Sequence, residues 1–119
     1  MSLNEDLKPL TWVGSSKKDL MAFPKHVRRE IGRAITSAQF GGKAPNAKLL
    51  KHIGGSVLEV VENFDKDTYR AVYTIRFSDR VYVLHCFQKK SRRGIQMDRK
   101  DRAMIDTRLK MAVAHHKTQ

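Results

Sequence analysis

Three consecutive runs of β-type residues constrain the fold more than any other feature of this sequence. The runs span residues 57–64, 69–77 and 81–87 and are rich in Val, Ile, Tyr and Phe. The turns between them, Asp65-Lys66-Asp67 and Ser78-Asp79-Arg80, are too short to contain a crossover helix. Because such short connections join antiparallel neighbours, we predict a three-stranded antiparallel meander.

Two helices are predicted before the meander and one after it. Ser16 and Asp19 have the spacing of a capping box, so a short helix should begin at Ser16 and end near residue 23. A second helix begins at Pro24, and a third spans residues 98–114, with residues 115–119 as a loose end. The second helix carries one apolar stripe, which consists of Val27, Ile31, Ala34, Ile35 and Ala38.

These elements predict an α+β domain. A short strand at residues 10–13 precedes the helices, and residues 43–55 are predicted to be a loop. The order is β-α-α-β-β-β-α, with two N-terminal helices packed on an antiparallel sheet. In the middle strand, Tyr69, Ala71, Tyr73, Ile75 and Phe77 alternate with Arg70, Val72, Thr74 and Arg76. We expect the aromatic face to pack on the helices, and the second face, with its two arginines, to be more open.

Length and charge limit the class of protein. The chain has 119 residues, enough for a single domain with a core over about residues 9–114, and its formal charge is +12. This charge favours a polyanion or an acidic protein as the partner. No apolar run is long enough to span a membrane and no signal peptide is visible, so we expect a cytoplasmic protein. The single cysteine, Cys86, excludes an internal disulfide, and no metal-site spacing or cofactor motif is present.

Basic residues near the last strands are candidates for chemistry. Arg70 could bind a phosphate, or it could form a salt bridge with Glu59 or Glu62 on the neighbouring strand. Lys89 and Lys90 follow the last strand and could stabilise developing negative charge, or they could be ordinary solvated lysines. Residues 89–110 contain nine Lys and Arg against three Asp, so the positive charge is regional.

His85 and Cys86 are adjacent in the last strand and should therefore face opposite sides of the sheet. This arrangement disfavours a Cys–His nucleophile pair. His85 could be a general acid or base, or a buried structural residue with its hydrogen bonds satisfied. Cys86 is expected to be a small core residue.

Two segments resemble a known family. Tyr69-Arg70-Ala71-Val72-Tyr73 and Leu84-His85-Cys86-Phe87-Gln88-Lys89-Lys90-Ser91, in this order and spacing, are similar to the RelE/ParE superfamily of type II toxin–antitoxin toxins. The phage-derived, HigB-like branch is the most similar, and the resemblance covers about residues 9–114. It implies a RelE-like fold and a cytosolic toxin. It also implies a cognate helix-turn-helix antitoxin, through which the toxin would contact operator DNA.

The resemblance implies one of three functions. RelE-type members cleave mRNA on the ribosome without a metal, by attack of a ribose 2′-hydroxyl on the adjacent phosphate. ParE-type members inhibit DNA gyrase and cleave nothing. A degenerate member would keep only its binding to RNA or to the antitoxin. We expect the first of these three activities. For that activity, the basic residues of the family have counterparts in this sequence.

In the mRNA-cleaving case, Arg70 matches the strand arginine that binds phosphate, and Lys90 matches the catalytic basic position. His85 is the candidate acid–base residue. Four further cations would contact RNA or the ribosome: Lys89, Arg92, Arg93 and Arg76. The sequence departs from the family where Glu59 stands in a strand that often carries basic residues, and where Ile95-Gln96-Met97 replaces a C-terminal tyrosine.

Overall fold

A five-stranded sheet organises the structure, a computed structural model that describes residues 7–89 and 97–119. The strands lie in the order β1-β5-β4-β3-β2. The elements along the chain are β1 (Leu10–Trp12), α1 (Ser16–Met21), α2 (Lys25–Gln39), β2 (Ala47–Leu49), β3 (Val57–Phe64), β4 (Asp67–Thr74), β5 (Val81–Lys89) and α3 (Arg99–Lys117).

The predicted meander is confirmed. β3 pairs with β4 and β4 pairs with β5, both antiparallel. Asp65 and Lys66 form the turn between β3 and β4, with positive φ angles of 50° and 72°. A two-residue turn in this conformation matches the right-handed twist of the two strands and therefore sets their register.

The edges of the sheet differ from the prediction. β2 lies within residues 43–55, which were predicted to be a loop, and it pairs antiparallel with β3. This strand has only three residues and no alternating pattern. Its extended conformation is therefore set by the hydrogen bonds to β3 and not by its own sequence. At the other edge, β1 pairs parallel with β5 through Leu10–Trp12. The predicted strand at residues 10–13 is thus confirmed.

Each face of the sheet carries its own hydrophobic core. The five residues of the α2 stripe are all buried, and they pack with Tyr69, Ala71 and Tyr73 of β4. The predicted contact between the aromatic face and the N-terminal helices is confirmed. The second face is covered by α3, so the expectation that this face is open is wrong. The cause lies in β5, whose residues 81–87 are all buried and therefore need a cover on both sides.

A bulge in β5 changes which residues face α3. Val72 is opposite His85 whereas Tyr73 is opposite Val83, so Leu84 has no partner in the ladder. An extra residue of this kind lets two consecutive side chains contribute to one face. Leu84 and His85 both contact the α3 side, while Cys86 lies in the core under α1 and α2.

The predicted capping box at Ser16 is wrong. The helix follows Ser15, whose hydroxyl donates to Asp19 Oδ2 over 2.8 Å. Ser16 is buried inside the helix and donates to the carbonyl of Val83 over 3.1 Å. Ser16 therefore joins α1 to the sheet instead of capping the helix, and α1 ends at Met21.

The predicted ends of β4 and α3 are also wrong. β4 ends at Thr74, so Ile75 is exposed and Phe77 leaves the aromatic face to pack in the α3 core. α3 continues to Lys117 because its last turn has partners on β5 and on the loop that precedes β5. His115 Nδ1 lies 2.7 Å from the Tyr82 hydroxyl, and the His116 ring stacks on Phe77 with a centroid distance of 4.0 Å.

Candidate functional site

Arg70 lies on β4 on the side of the sheet that faces α3, opposite Val61 and Phe87. Its Nη1 donates to Oε1 of Glu59 over 2.9 Å. The two side chains are only 13% and 9% exposed, so this is a largely buried ion pair. Of the two predicted salt-bridge partners the structure selects Glu59, whereas Glu62 accepts from Asn46.

Glu59 is a candidate site residue, although the sequence analysis named it only as a possible partner of Arg70. It lies on β3 opposite Val72, and among the described residues its Oε2 has no hydrogen-bond partner although it is buried. Such an atom is unusual, since buried polar atoms are normally satisfied. The signal was available, because a single acid interrupts the otherwise apolar run Val57–Val61. The pair therefore presents a guanidinium beside a buried carboxylate oxygen with unused capacity to accept a hydrogen bond.

Both ring nitrogens of His85 face α3. Nε2 lies 2.8 Å from Asp101 Oδ1, and Nδ1 lies 3.5 Å from Nη1 of Arg108. A guanidinium cannot accept a hydrogen bond, so Nδ1 is the acceptor and Nε2 carries the hydrogen that is donated to Asp101. The ring also stacks on Phe87 with a centroid distance of 4.6 Å. In this arrangement His85 attaches the first half of α3 to β5, and its acid–base role stays a prediction.

Arg108 is a buried cation that sequence reasoning did not identify. It is 7% exposed and donates to the Leu84 carbonyl over 2.9 Å and to Ser15 Oγ over 3.1 Å. Gly14 makes room for it, since a Cβ at Gly14 would lie 2.7 Å from Arg108 Nε. A signal did exist, because residue 108 lies between Ile105 and Ala112 on the buried side of α3.

The structure brings together some of the predicted cations and separates others. Lys89 is opposite Thr68, and it follows Phe87, the partner of Arg70, by two residues along β5. Lys89 and Arg70 thus belong to neighbouring rows on one face. Arg76 lies beyond the other end of β4, where its guanidinium is 5.8 Å from the centroid of the Phe77 ring. Lys90, Arg92 and Arg93 lie outside the described residues.

The described residues offer neither a metal-binding cluster nor a reactive thiol. Within residues 7–89 and 97–119, no group of three or more His, Cys, Asp or Glu side chains is placed to bind a metal ion. None of the described helices combines the length and apolarity needed to cross a membrane. The Cys86 thiol lies on the opposite side of the sheet from Arg70, and burial raises its pKa to about 12. This thiol is therefore protonated at neutral pH and is not an activated nucleophile.

Comparison with solved structures identifies the fold. A mutant of the Escherichia coli toxin RelE in the free state matches with a TM-score of 0.51 and 14% identity, covering 67% of this chain and 81% of that one. The toxin–antitoxin complex RelBE2 from Mycobacterium tuberculosis matches with a TM-score of 0.43 and 16% identity, covering 71% and 94%. The first of these similarities shows a RelE-like fold.

Comparison of sequences identifies the family. A search of curated proteins finds no match. A family model described as "Phage derived protein Gp49-like (DUF891)" matches residues 18–110, which is most of the chain. The resemblance to a phage-derived branch of the RelE/ParE superfamily is thereby confirmed. The chain belongs to the Gp49-like family of phage-derived proteins, a RelE-like toxin family.

Proposed function

We propose that this protein is the toxin of a type II toxin–antitoxin module and that it cleaves mRNA on the ribosome. The observation that carries the proposal is the placement of Arg70 beside Glu59, with Lys89 in the neighbouring row of the same face. A cation pair and a carboxylate on a rigid sheet are the groups that attack on a phosphodiester requires. The formal charge of +12 supports binding to an RNA backbone.

Arg70 is proposed to bind the phosphate that is cleaved. A guanidinium has five N–H donors in a planar fork, so it can contact a phosphate while it remains paired with Glu59. Glu59 holds the guanidinium in one orientation, which lowers the entropy lost when the phosphate binds. Lys89, together with Lys90, is proposed to stabilise the extra negative charge of the phosphorane.

The proposed reaction is an internal transesterification of RNA. The ribose 2′-oxygen bonds to phosphorus and the bond from phosphorus to the 5′-oxygen of the next nucleotide breaks. Oε2 of Glu59, which the substrate must first uncover because this atom is buried, accepts the proton of the 2′-hydroxyl, and the departing 5′-oxygen takes a proton from Lys90 or His85. The products are a 2′,3′-cyclic phosphate and a 5′-hydroxyl. For His85 to donate, its Nε2–H must exchange Asp101 for the substrate.

A cognate antitoxin with a helix-turn-helix domain is proposed as the partner that neutralises the toxin. Membership of a RelE-like toxin family supports this proposal. A basic toxin also favours an acidic antitoxin segment, because opposite charges accelerate association. The cytoplasm is the proposed location, since mRNA on ribosomes is the proposed substrate.

The proposed activity is tested by induced expression followed by mapping of RNA 5′ ends in translated messages. Wild type should produce new 5′-hydroxyl ends inside reading frames. Arg70→Lys, which keeps the charge next to Glu59 but loses the planar fork, should not. The matched control is Arg33→Lys, because Arg33 also pairs with a glutamate, at 3.1 Å, but is 71% exposed on α2.

Three outcomes of this experiment would overturn all or part of the proposal. Growth arrest without new 5′ ends would exclude RNA cleavage and indicate gyrase inhibition or blockade of the ribosome. No arrest and no cleavage would indicate a member of the family that retains only binding. New ends that persist in Arg70→Lys would leave the nuclease activity but remove Arg70 from the site.

A further inference from the structure

A half-enclosed pocket lies between the loop after β2 and the first turn of α3. Its volume is about 410 Å³, within the range of about 300–1,000 Å³ that is typical of small-molecule sites. The described residues that line it are Leu50, Lys51, His52, Ile53, Met97 and Arg102. The described residues of the proposed cleavage site, Arg70, Glu59, His85 and Lys89, do not line this pocket.

The walls of the pocket are apolar and its rim is basic. Leu50, Ile53 and Met97 are partly buried and pack against the core under α3. Lys51 and Arg102 are exposed and supply two positive charges. Nη2 of Arg102 donates to the carbonyl of His52 over 3.1 Å, so the planar guanidinium is held across the pocket edge. An apolar slot with an oriented guanidinium is suited to a flat, uncharged ring that carries a phosphate.

The loop that forms one wall is attached to the rest of the fold at several points. The Leu50 amide donates to the Val57 carbonyl over 2.8 Å, and the Thr74 hydroxyl donates to the Gly55 carbonyl. A Cβ at Gly55 would lie 3.2 Å from the Leu109 side chain, so α3 passes closely over this loop. These contacts indicate a pocket that exists before a ligand binds.

The pocket is also connected to the proposed cleavage site. Arg102 follows Asp101, the residue that contacts His85. Leu49, the last residue of β2, pairs with Leu58, which precedes Glu59 on β3. These two links and the packing of Leu50, Ile53 and Met97 under α3 place the pocket on the same face of the sheet as the proposed cleavage site.

We propose that this pocket binds one unstacked nucleobase of the RNA, with Lys51 and Arg102 contacting the phosphate of that nucleotide. The inference rests on the proposed function for its substrate class. Proteins recognise single-stranded RNA by separating a base from its neighbours and stacking it on apolar, aromatic or guanidinium surfaces. A pocket of this kind would select which nucleotide lies next to the cleaved bond.

Binding of mononucleotides tests the inference without any cleavage. ¹⁵N-labelled protein would be titrated with each of the four ribonucleoside 5′-monophosphates and, separately, with inorganic phosphate. We expect amide shifts at residues 50–53 and 102, at least tenfold tighter binding for one nucleotide than for phosphate, and at least tenfold weaker binding of that nucleotide in Lys51→Ala/Arg102→Ala. Equal shifts with phosphate alone would show that only charge is recognised and would overturn the inference.

A second basic pocket supplies the matched control. It lies along the outer side of α3, has a volume of about 550 Å³ and includes Arg76, Lys110 and Lys117 in its lining. Lys110→Ala/Lys117→Ala removes the same charge as the test variant and should leave nucleotide binding unchanged. Both double variants alter exposed residues, and circular dichroism checks that each remains folded. Equal losses of binding in the two variants would contradict a specific pocket.

The inference and the proposed nuclease activity can fail independently. If nucleotides bind at residues 50–53 but RNA is not cleaved, the pocket proposal stands and the nuclease proposal is excluded. If Lys51→Ala/Arg102→Ala cleaves at the same positions and rate as wild type, the nuclease proposal stands and the pocket proposal is excluded. If both hold, the double variant should cleave more slowly than wild type.

Discussion

The two faces of the sheet differ in what they bury. The face under α1 and α2 is apolar, and Ile31, Val27 and Val60 in its core are inaccessible to solvent. The face under α3 buries Val57, Val72 and Ile105 as well, but it also contains three buried residues with charged or titratable side chains, Glu59, His85 and Arg108. Burial of apolar groups stabilises the fold, whereas burial of charged groups carries a desolvation cost.

This difference indicates a division of roles between the faces. Charged residues that only stabilised the domain could be replaced by apolar residues of similar volume at little cost. The α3 face contains an ion pair, a histidine and a second arginine instead. Our hypothesis is that the apolar face provides stability and that the α3 face provides the chemistry.

The largest effect on stability is expected on the apolar face. Ile31→Ala should lower the free energy of unfolding by about 4 kcal/mol, because it leaves a cavity in a fully buried position. Ile75→Ala is the control, since Ile75 is 37% exposed, and it should change stability by less than about 0.5 kcal/mol. Urea denaturation followed by circular dichroism measures both. Similar values for the two variants would show that the apolar face does not dominate stability.

A smaller effect is expected when the ion pair on the α3 face is broken. Arg70→Met should cost about 3 kcal/mol, since it leaves the Glu59 carboxylate buried without its cation. The double variant Arg70→Met/Glu59→Leu should recover to within about 1 kcal/mol of wild type. A double-mutant cycle from urea denaturation gives the coupling between the two residues. If the double variant is less stable than either single one, the ion pair is kept for stability and the division of roles fails.

The smallest effect concerns pH and the thiol of Cys86 on the apolar face. Burial raises the pKa of this thiol from its ordinary value of 9.0 to about 12. Above pH 9 the unfolded chain therefore loses a proton that the folded chain keeps, so stability must fall as pH rises. Between pH 8 and pH 10, wild type should lose about 1 kcal/mol more than Cys86→Ala. Parallel pH profiles for the two proteins would mean that the thiol is accessible to water.

The sequence predicts the apolar face better than the α3 face, for a physical reason. Periodicity identifies core positions, so the α2 stripe, the meander and the burial of Tyr69 and Tyr73 follow from the pattern. The bulge at Leu84 does not follow from the pattern, because it depends on how β5 fits between β4 and α3. The partners of His85 and Arg108 come from residues 16 to 93 positions away, and no local rule connects them.

The comparison of two Arg–Glu pairs tests the division of roles most directly. One pair, Arg70 with Glu59, lies on the α3 face, and the other, Arg33 with Glu30, lies on the outside of α2. The measurement is the single-turnover rate at which purified protein cleaves a defined message on ribosomes. Arg70→Lys and Glu59→Gln should each slow cleavage by about 100-fold or more, because one loses the phosphate contact and the other the base. Arg33→Lys and Glu30→Gln should cleave at the wild-type rate. If Glu59→Gln and Arg70→Lys also cleave at the wild-type rate, the assignment of the chemistry to the α3 face is contradicted.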